Sequence, residues 1–253
     1  MTNKVTEEQL STAFEGALSN GAWTRYYPPF AHVLREVDCH QGRPDFVASP
    51  TTVIDTPRDC RAQLAPALAT PSLVRILSLL KRSAPRTDDY LRRASGLSVP
   101  VLRRSISALE SLGVVARSSQ SGYVLASAFP ETKWELWAFE VKVDHWQRAL
   151  FQALQYRAFA HWVAVVISER WAHRVERQIE RFRALNIGII ALDPQSGAIR
   201  SVLRPRKHPP ASRFHYLYAL GKFLAQVADL ETGRVLPQNR AGPSSARASG
   251  KPA

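Results

Sequence analysis

The chain has 253 residues, 45% of them hydrophobic, which is enough for one large core or two modest cores. It has no run of eighteen apolar residues and its first residues are too polar for a signal peptide, so we expect a cytoplasmic protein without a membrane span. The formal net charge of +13 attracts polyanions, and because no basic amphipathic anchor is evident, nucleic acid is the expected partner.

An amphipathic helix is predicted over residues 5–19. Apolar side chains recur there at helical spacing, Thr6 and Gln9 fit a capping box, and Asn20 before a glycine is a typical end. Glu15 lies beside the apolar stripe, where it could face either a functional site or solvent. The sequence leaves these two roles open.

Two strands are expected next, at 31–40 and 45–49, joined by a turn from Gln41 to Pro44. Asp45 is then the first residue of the second strand. Alone, an aspartate there is an ordinary turn residue, and only partners elsewhere in the chain would give it a function. Residues 50–69 contain three prolines and are interpreted as a connector with one short strand at 52–54.

The two cysteines, Cys39 and Cys60, form no C-x-x-C pair. This argues against a disulfide framework and against a zinc site built from cysteines. We interpret both side chains as free thiols.

Residues 58–130 have the order of a winged helix-turn-helix domain. Three helices and a hairpin are predicted in succession, at 70–82, 87–94, 99–112 and 114–126, with a tight turn at Gly96 between the second and third helices. The segment holds eleven Lys and Arg residues against four Asp and Glu residues, an excess suited to binding phosphates. An alternative use of such a domain is protein contact or dimerisation, so a homodimer is compatible with the sequence.

The third helix would enter DNA as the recognition helix, and the hairpin would form the wing. The candidate DNA-binding side chains are the arginines of the last two helices and of the wing: Arg92, Arg93, Arg103, Arg104 and Arg117. A winged helix more often meets duplex DNA, so double-stranded DNA is the expected partner.

Residues 134–143 are predicted to form a strand that is covered on both faces. Both sets of alternating side chains are largely apolar, and Glu140 and Lys142 share one face at the end of the strand. Charged groups are rarely buried without a partner, a metal or a task. These two residues are therefore candidates for function.

A helix with Asp144 as its N-cap is expected to follow that strand. Gln152 and Tyr156 are four residues apart and would lie one turn apart on one face of this helix. His145 is close in sequence, but a surface role is expected for it.

The remaining elements alternate between strands and helices, as in an α/β fold with parallel pairing in this half. Strands are predicted at 162–168, 186–192 and 198–203, the last at an edge, and helices at 171–185 and 212–229. Residues 204–210, RPRKHPP, form a basic loop suited to contacting a phosphate backbone. Residues 231–253 have the composition of a disordered tail.

In order and pattern, these motifs resemble the PD-(D/E)XK nuclease superfamily, with elements similar to those of RecB-type nucleases and Holliday-junction resolvases. The resemblance covers residues 5–49 and 131–203 and rests on an acid-bearing helix, a Pro-Asp strand start, a Glu-x-Lys strand and a Gln-x-x-x-Tyr helix: Glu15, Pro44-Asp45, Glu140-Val141-Lys142 and Gln152 to Tyr156. About eighty residues separate the Asp strand from the Glu-x-Lys strand, where the superfamily has a short connection. We interpret this departure as an inserted winged helix.

The resemblance implies an α/β, restriction-endonuclease-like core, made of residues 1–57 and 131–230, with a mixed central sheet flanked by helices. It implies that Asp45, Glu140 and the Val141 carbonyl bind Mg²⁺ or Mn²⁺, with Glu15 holding a second metal or a bridging water. Lys142 would steer the attacking water and stabilise charge. Gln152 and Tyr156 would orient the phosphate or Lys142.

A metal-dependent DNA nuclease, expected to be an endonuclease and positioned by the winged helix, is the function that this reasoning favours. The alternative is a DNA-binding regulator whose nuclease-like core is an inactive scaffold. Cleavage of RNA is a third reading that the sequence leaves open.

Overall fold

The computed structural model describes residues 5–50, 58–127, 129 and 134–232. The strand predicted at 52–54 and most of the predicted tail lie outside these residues. No helix in the described part of the chain is long and apolar enough to cross a bilayer.

A mixed six-stranded sheet forms the centre of the molecule. In chain order its strands are β1 (Phe30–Arg35), β2 (Phe46–Pro50), β5 (Trp137–Lys142), β6 (Trp162–Ser168), β7 (Gly188–Leu192) and β8 (Ile199–Leu203), and they lie side by side in that order. The pairs β5–β6 and β6–β7 are parallel, whereas β1–β2, β2–β5 and β7–β8 are antiparallel. The predicted α/β class with a mixed sheet, and with an edge strand at its end, is confirmed.

Helices flank this sheet. They are α1 (Glu7–Ser19), a 3₁₀ turn (Ala22–Arg25), α2 (Arg58–Ala69), α3 (Pro71–Leu79), α4 (Asp88–Ser95), α5 (Val99–Ser111), α6 (Trp146–Tyr156), α7 (Glu169–Glu176), α8 (Ile179–Ala184) and α9 (Arg213–Thr232). A second, two-stranded antiparallel sheet contains β3 (Val115–Arg117) and β4 (Tyr123–Leu125).

Two apolar layers cover the two faces of the sheet. On one face, Phe14 of α1 and Trp23 of the 3₁₀ turn pack edge-on against Phe139 of β5. On the other face, Ala138 of β5 joins a larger cluster that includes side chains from α6 and α9. The strand β5 is therefore buried on both sides, as the alternation of its residues predicted, and Glu140 falls on the same face as Ala138.

The helices and hairpin predicted between residues 70 and 127 are present. Pro71 begins α3, the Thr87 side chain caps α4 by accepting from the Tyr90 N–H, and Gly96 ends α4 in the left-handed conformation. Helices α2 and α3 both pack against α9, and residues from all three share the larger apolar cluster. The division into a core and an inserted domain of residues 58–130 stays a prediction.

The connector predicted at 50–69 is wrong for residues 58–69, which form α2. That prediction rested on its prolines, but Pro66 is accommodated inside the helix. Close packing decides the outcome: a Cβ added to Gly221 of α9 would lie 2.3 Å from the Leu68 carbonyl carbon of α2. Burial against α9 outweighs a weak local propensity.

Several boundaries also differ from the sequence prediction. The strand predicted at 134–143 spans Trp137–Lys142, and Asp45, predicted as the first residue of the second strand, directly precedes β2. The first strand ends at Arg35 instead of residue 40, because Glu36 adopts a positive φ of 52° that a strand does not tolerate. The helix predicted at 171–185 is two helices, broken around Gln178, whose φ of −112° is not helical. The strand predicted from residue 186 begins at Gly188, since Asn186 is left-handed.

The predicted N-cap of α6 is wrong as well. His145 occupies that position and Asp144 precedes it, with the Asp144 carbonyl accepting from the Trp146 N–H. The His145 side chain is 76% exposed, in agreement with a surface role. The first two residues of the predicted tail, 231 and 232, belong instead to α9, which continues to Thr232.

Candidate active site

Asp45 and Glu140 come together at one edge of the sheet, the edge formed by the strand ends where β2 begins and β5 finishes. The antiparallel register of β2 and β5 pairs Phe46 with Phe139, which brings the residue before β2 opposite Glu140. Asp45 Oδ2 accepts a hydrogen bond of 2.6 Å from the Val141 N–H, so the aspartate is fixed to the backbone of β5. This edge is the one at which the parallel strands β5, β6 and β7 end, where α/β folds commonly bind ligands.

The Lys142 ammonium lies among three carboxylates. Its Nζ is 2.9 Å from Glu140 Oε1, 3.3 Å from Glu7 Oε2 and 4.0 Å from Asp45 Oδ2. It also donates to the Val141 carbonyl over 3.0 Å. With all four side chains ionised, one positive charge faces three negative charges, which leaves the cluster with a net charge of −2.

Tyr156 holds the Glu140 carboxylate from the opposite side. Its hydroxyl donates to Glu140 Oε2 over 2.5 Å, and both residues are only 1% exposed. The Tyr156 ring in turn packs against Gly42, whose φ is +111° and where an added Cβ would lie 3.0 Å from the ring. Only glycine fits this approach comfortably.

Every perturbed pKa in this cluster is raised. Burial, and then the charge of Asp45, raise the pKa of Glu140, while burial raises that of Asp45 against the Val141 hydrogen bond. Burial alone would lower the pKa of Lys142, but its hydrogen bond to Glu140 and the surrounding carboxylates outweigh burial and raise it. The part of these shifts that comes from the neighbouring carboxylates favours additional positive charge in the cluster.

The acid that α1 brings to this cluster is Glu7, not the expected Glu15. Glu15 Oε2 lies 3.7 Å from Arg35 Nη1, its side chain is 46% exposed, and it has no contact with Lys142 among the described residues. Sequence reasoning missed Glu7 because an acid in the first turn of a helix is sufficiently explained by the helix dipole. The signal that could have pointed to Glu7 is the capping box at Thr6, because it places Glu7 at the start of α1.

Gln152 lies on the inner side of α6, one turn before Tyr156. Its Oε1 atom is buried and has no hydrogen-bond partner among the described residues. A buried amide oxygen without a partner is costly, and a bound ligand would relieve this cost. The structure thus brings Asp45, Glu140, Val141, Lys142 and Tyr156 into direct contact, and among the described residues nothing bonds the Gln152 Oε1 atom.

The donors at this site suit a hard divalent cation. The Asp45 and Glu140 carboxylates and the Val141 carbonyl are oxygen ligands of the kind that Mg²⁺ and Mn²⁺ prefer. In the described ranges, no group of three or more His, Cys, Asp and Glu side chains is arranged to hold a metal ion. The site therefore matches a divalent cation in the type and the charge of its oxygen donors.

The candidate DNA-binding arginines lie on the other, helical part of the chain. Arg92 and Arg93 of α4 and Arg103 and Arg104 of α5 are exposed. Arg117 of β3 is paired, with its Nε 3.2 Å from an oxygen of Glu110, and its guanidinium lies over the Tyr123 ring.

The basic loop at 204–210 is partly committed to the fold. Lys207 forms an ion pair with Glu135 and lies over the Trp162 ring. The Asn186 side chain bonds both the backbone N–H and the carbonyl of Arg206. These contacts fix the loop beside the sheet.

Comparison with known proteins gives no match: no family model, no curated protein and no solved structure is similar to this chain.

Proposed function

We propose that this protein is a metal-dependent DNA nuclease with a core of the PD-(D/E)XK type, acting as an endonuclease on duplex DNA. The observation that carries the proposal is the cluster at the sheet edge, where Asp45, Glu140 and Glu7 surround the ammonium of Lys142. Its net charge of −2 and its raised pKa values suit a divalent cation, and a phosphodiester cannot approach such a cluster unless that charge is neutralised.

The residues of the cluster have distinct roles in this proposal. The Asp45 and Glu140 carboxylates and the Val141 carbonyl would hold Mg²⁺ or Mn²⁺, which supplies Lewis acidity and neutralises phosphate charge when bound. Tyr156 fixes Glu140 by its short hydrogen bond. Lys142, whose raised pKa keeps it protonated, serves as a cation that orients water and stabilises charge on the phosphate, and not as a general base.

The helical part of the chain would supply DNA binding as a winged helix-turn-helix domain. Its support is the order α3, α4, turn, α5 and hairpin, together with the exposed arginines at the start of α5, Arg103 and Arg104. Arg117 is the last residue of β3, next to the tip of the hairpin that would be the wing. Eleven basic residues against four acidic ones in residues 58–130 favour phosphate contacts.

Cleavage assays test the proposal directly. The wild-type protein is incubated with duplex, nicked, branched and single-stranded DNA, and with RNA, in Mg²⁺ or Mn²⁺. We expect Glu140→Ala and Lys142→Ala each to abolish metal-dependent cleavage while DNA binding is largely kept. The matched control is the exposed pair Glu180 and Arg183, where alanine substitutions remove an acid and a base from a surface ion pair and should leave cleavage intact. A wild-type protein inert on all DNA substrates would overturn the proposal.

A DNA-binding regulator with an inactive nuclease-like scaffold is the second candidate. One observation favours it: the Lys142 ammonium already contacts all three carboxylates, so the ion cluster could be purely structural. The two candidates differ in metal binding. A scaffold would bind DNA without binding Mn²⁺ at this cluster, and Glu140→Ala would alter its thermal stability but no activity.

A further inference from the structure

The segment 36–45, which leads into Asp45, has a backbone that is unusual for its residues. Glu36 and His40 both have positive φ values, 52° and 66°, although neither is a glycine. The segment is fixed by hydrogen bonds from the Glu36 N–H to the Asp45 carbonyl and from the Cys39 N–H to the Gly42 carbonyl. Backbone held in a sparsely populated region commonly marks a functional segment.

At the tip of this segment, His40 joins three rings of α9. The centroid of the exposed His40 ring lies 5.6 Å from Phe214, 5.5 Å from His215 and 5.6 Å from Tyr218. Phe214 and His215 are half-buried, and Tyr218 is buried beneath them. These four residues, His40, Phe214, His215 and Tyr218, are called the ring platform.

Two cations border the ring platform. The Arg75 guanidinium lies 5.5 Å from the centre of the Phe214 ring, and the Lys222 ammonium lies 5.3 Å from that of Tyr218. Rings with a cationic border match the two parts of a nucleotide, a flat base and an anionic phosphate.

One polar atom of the ring platform has no hydrogen-bond partner in the described part of the chain. Gln41 Nε2 lies 3.1 Å from His215 Nε2, but the buried Nδ1 of His215 has no hydrogen-bond partner among the described residues. Burial, and then the proximity of His40, lower the pKa of His215, so its ring is neutral at pH 7. A neutral, half-buried imidazole ring offers a flat face on which a base can stack.

The position of the ring platform links the two functional parts of the chain. Its segment passes through Gly42, which packs on Tyr156, and ends at Asp45 of the candidate active site. Its other border, Arg75, belongs to α3 of the candidate DNA-binding part. A nucleic-acid strand running from one part to the other would pass over the rings.

We propose that the ring platform binds an unpaired base of the DNA substrate by stacking, next to the cleavage centre. The inference rests on the proposed nuclease function, since it specifies the substrate as DNA with a single-stranded or distorted stretch. It concerns binding only, so it can be tested without cleavage.

The test measures the affinity of the full chain in EDTA for two fluorescent probes. One is a single-stranded oligonucleotide containing 2-aminopurine, and the other is the same oligonucleotide in a duplex. His40→Asn removes a ring while tolerating the left-handed backbone, and Phe214→Leu keeps apolar volume without a stacking face. We expect the double variant to lose about ten-fold in affinity for the single strand, along with the quenching of 2-aminopurine, and less than two-fold for the duplex.

The exposed His173 of α7 provides a matched control, because His173→Asn removes the same ring from a helix outside the ring platform. His40→Asn alone provides the test if the double variant melts early, since His40 is exposed. Unchanged single-strand affinity in folded His40→Asn, or no single-strand binding by the wild type, would overturn the inference. Cleavage is measured separately, because it distinguishes this result from failure of the nuclease proposal. If the variant cleaves DNA and binds the single strand as the wild type does, only the stacking inference is refuted.

Discussion

The identity of the α1 acid gives the sharpest test of the candidate site. Glu7 Oε2 lies 3.3 Å from Lys142 Nζ, whereas Glu15, on the same helix, pairs with Arg35. We expect Glu7→Gln to weaken Mn²⁺ binding and Glu15→Gln to leave it unchanged within two-fold. Both substitutions remove one charge with almost no change in shape, so Glu15→Gln is the matched control.

The size of the effect follows from Coulomb's law. Two unit charges at the 3.3 Å that separates Glu7 from Lys142 interact by ~1 kcal/mol at the dielectric constant of water. That limit is the right one because the Glu7 side chain is 52% exposed. A divalent ion at a similar distance doubles the energy to ~2 kcal/mol, so we expect a weakening of Mn²⁺ binding of about five- to thirty-fold.

The assay is a titration of free Mn²⁺ by electron paramagnetic resonance, which reports binding whether or not the protein cleaves DNA. Thermal melting without metal serves as a check, because Glu7 also lies in the first turn of α1, where losing a charge costs about 0.3–1 kcal/mol. Equal weakening by the two substitutions would refute the assignment, and a larger effect of Glu15→Gln would return that role to Glu15.

Three further predictions concern the rest of the chain. Replacing Arg103 and Arg104 with alanine should weaken duplex binding and reduce the slope of log K against log salt by about two, whereas an unchanged slope would assign α5 to protein contact. Burial lowers the pKa of His161 in the folded protein to about 4, from 6.5 in the unfolded chain. Between these two values the unfolded chain binds the proton and the folded protein does not, so the stability of the fold falls as the pH drops from 6.5 to 4. His161→Asn should reduce that loss by about 2 kcal/mol, seen as a smaller decrease in Tm between pH 7 and pH 4.5. Gly221→Ala should destabilise the protein by about 2–3 kcal/mol in urea unfolding, because its Cβ would overlap the backbone of α2. Gly16→Ala, whose Cβ would have no atom of the described residues within 4 Å, should instead stabilise α1 by about 0.5–1 kcal/mol.

The parts of the fold that local pattern specifies were predictable. The alternation in β5 is apolar on both faces, and this pattern alone identified an inner strand with Glu140 and Lys142 on the same face at its end. Proline at the start of α3 and the threonine cap of α4 fixed two helix starts in the same way. The meeting of Asp45 with Glu140 needed one more step, the pairing of β2 with β5, which the order of motifs supplied.

The errors arose where contacts distant in sequence decide the structure. Helix α2 was predicted to be a connector because the residue that it packs against, Gly221 of α9, lies about 150 residues further along the chain. Glu7 was missed because nothing near it in sequence reveals that the start of α1 reaches the end of β5. The early end of β1 has a local cause, the left-handed Glu36, but glutamate gives no signal for that conformation.

The net charge of the whole chain is positive, whereas the net charge of the candidate site is negative. A proposed mechanism has to account for both. The whole chain carries +13 and attracts a polyanion, yet Asp45, Glu140 and Glu7 around Lys142 make the candidate site locally negative. A phosphate drawn to the surface would be repelled at the sheet edge, so binding and reaction conflict unless a cation is shared between protein and phosphate. A nuclease that requires a divalent ion resolves this conflict, whereas a scaffold that only binds DNA would gain affinity by losing the carboxylates. The presence of three acids around one lysine, at a cost in buried charge, therefore favours the hydrolytic function.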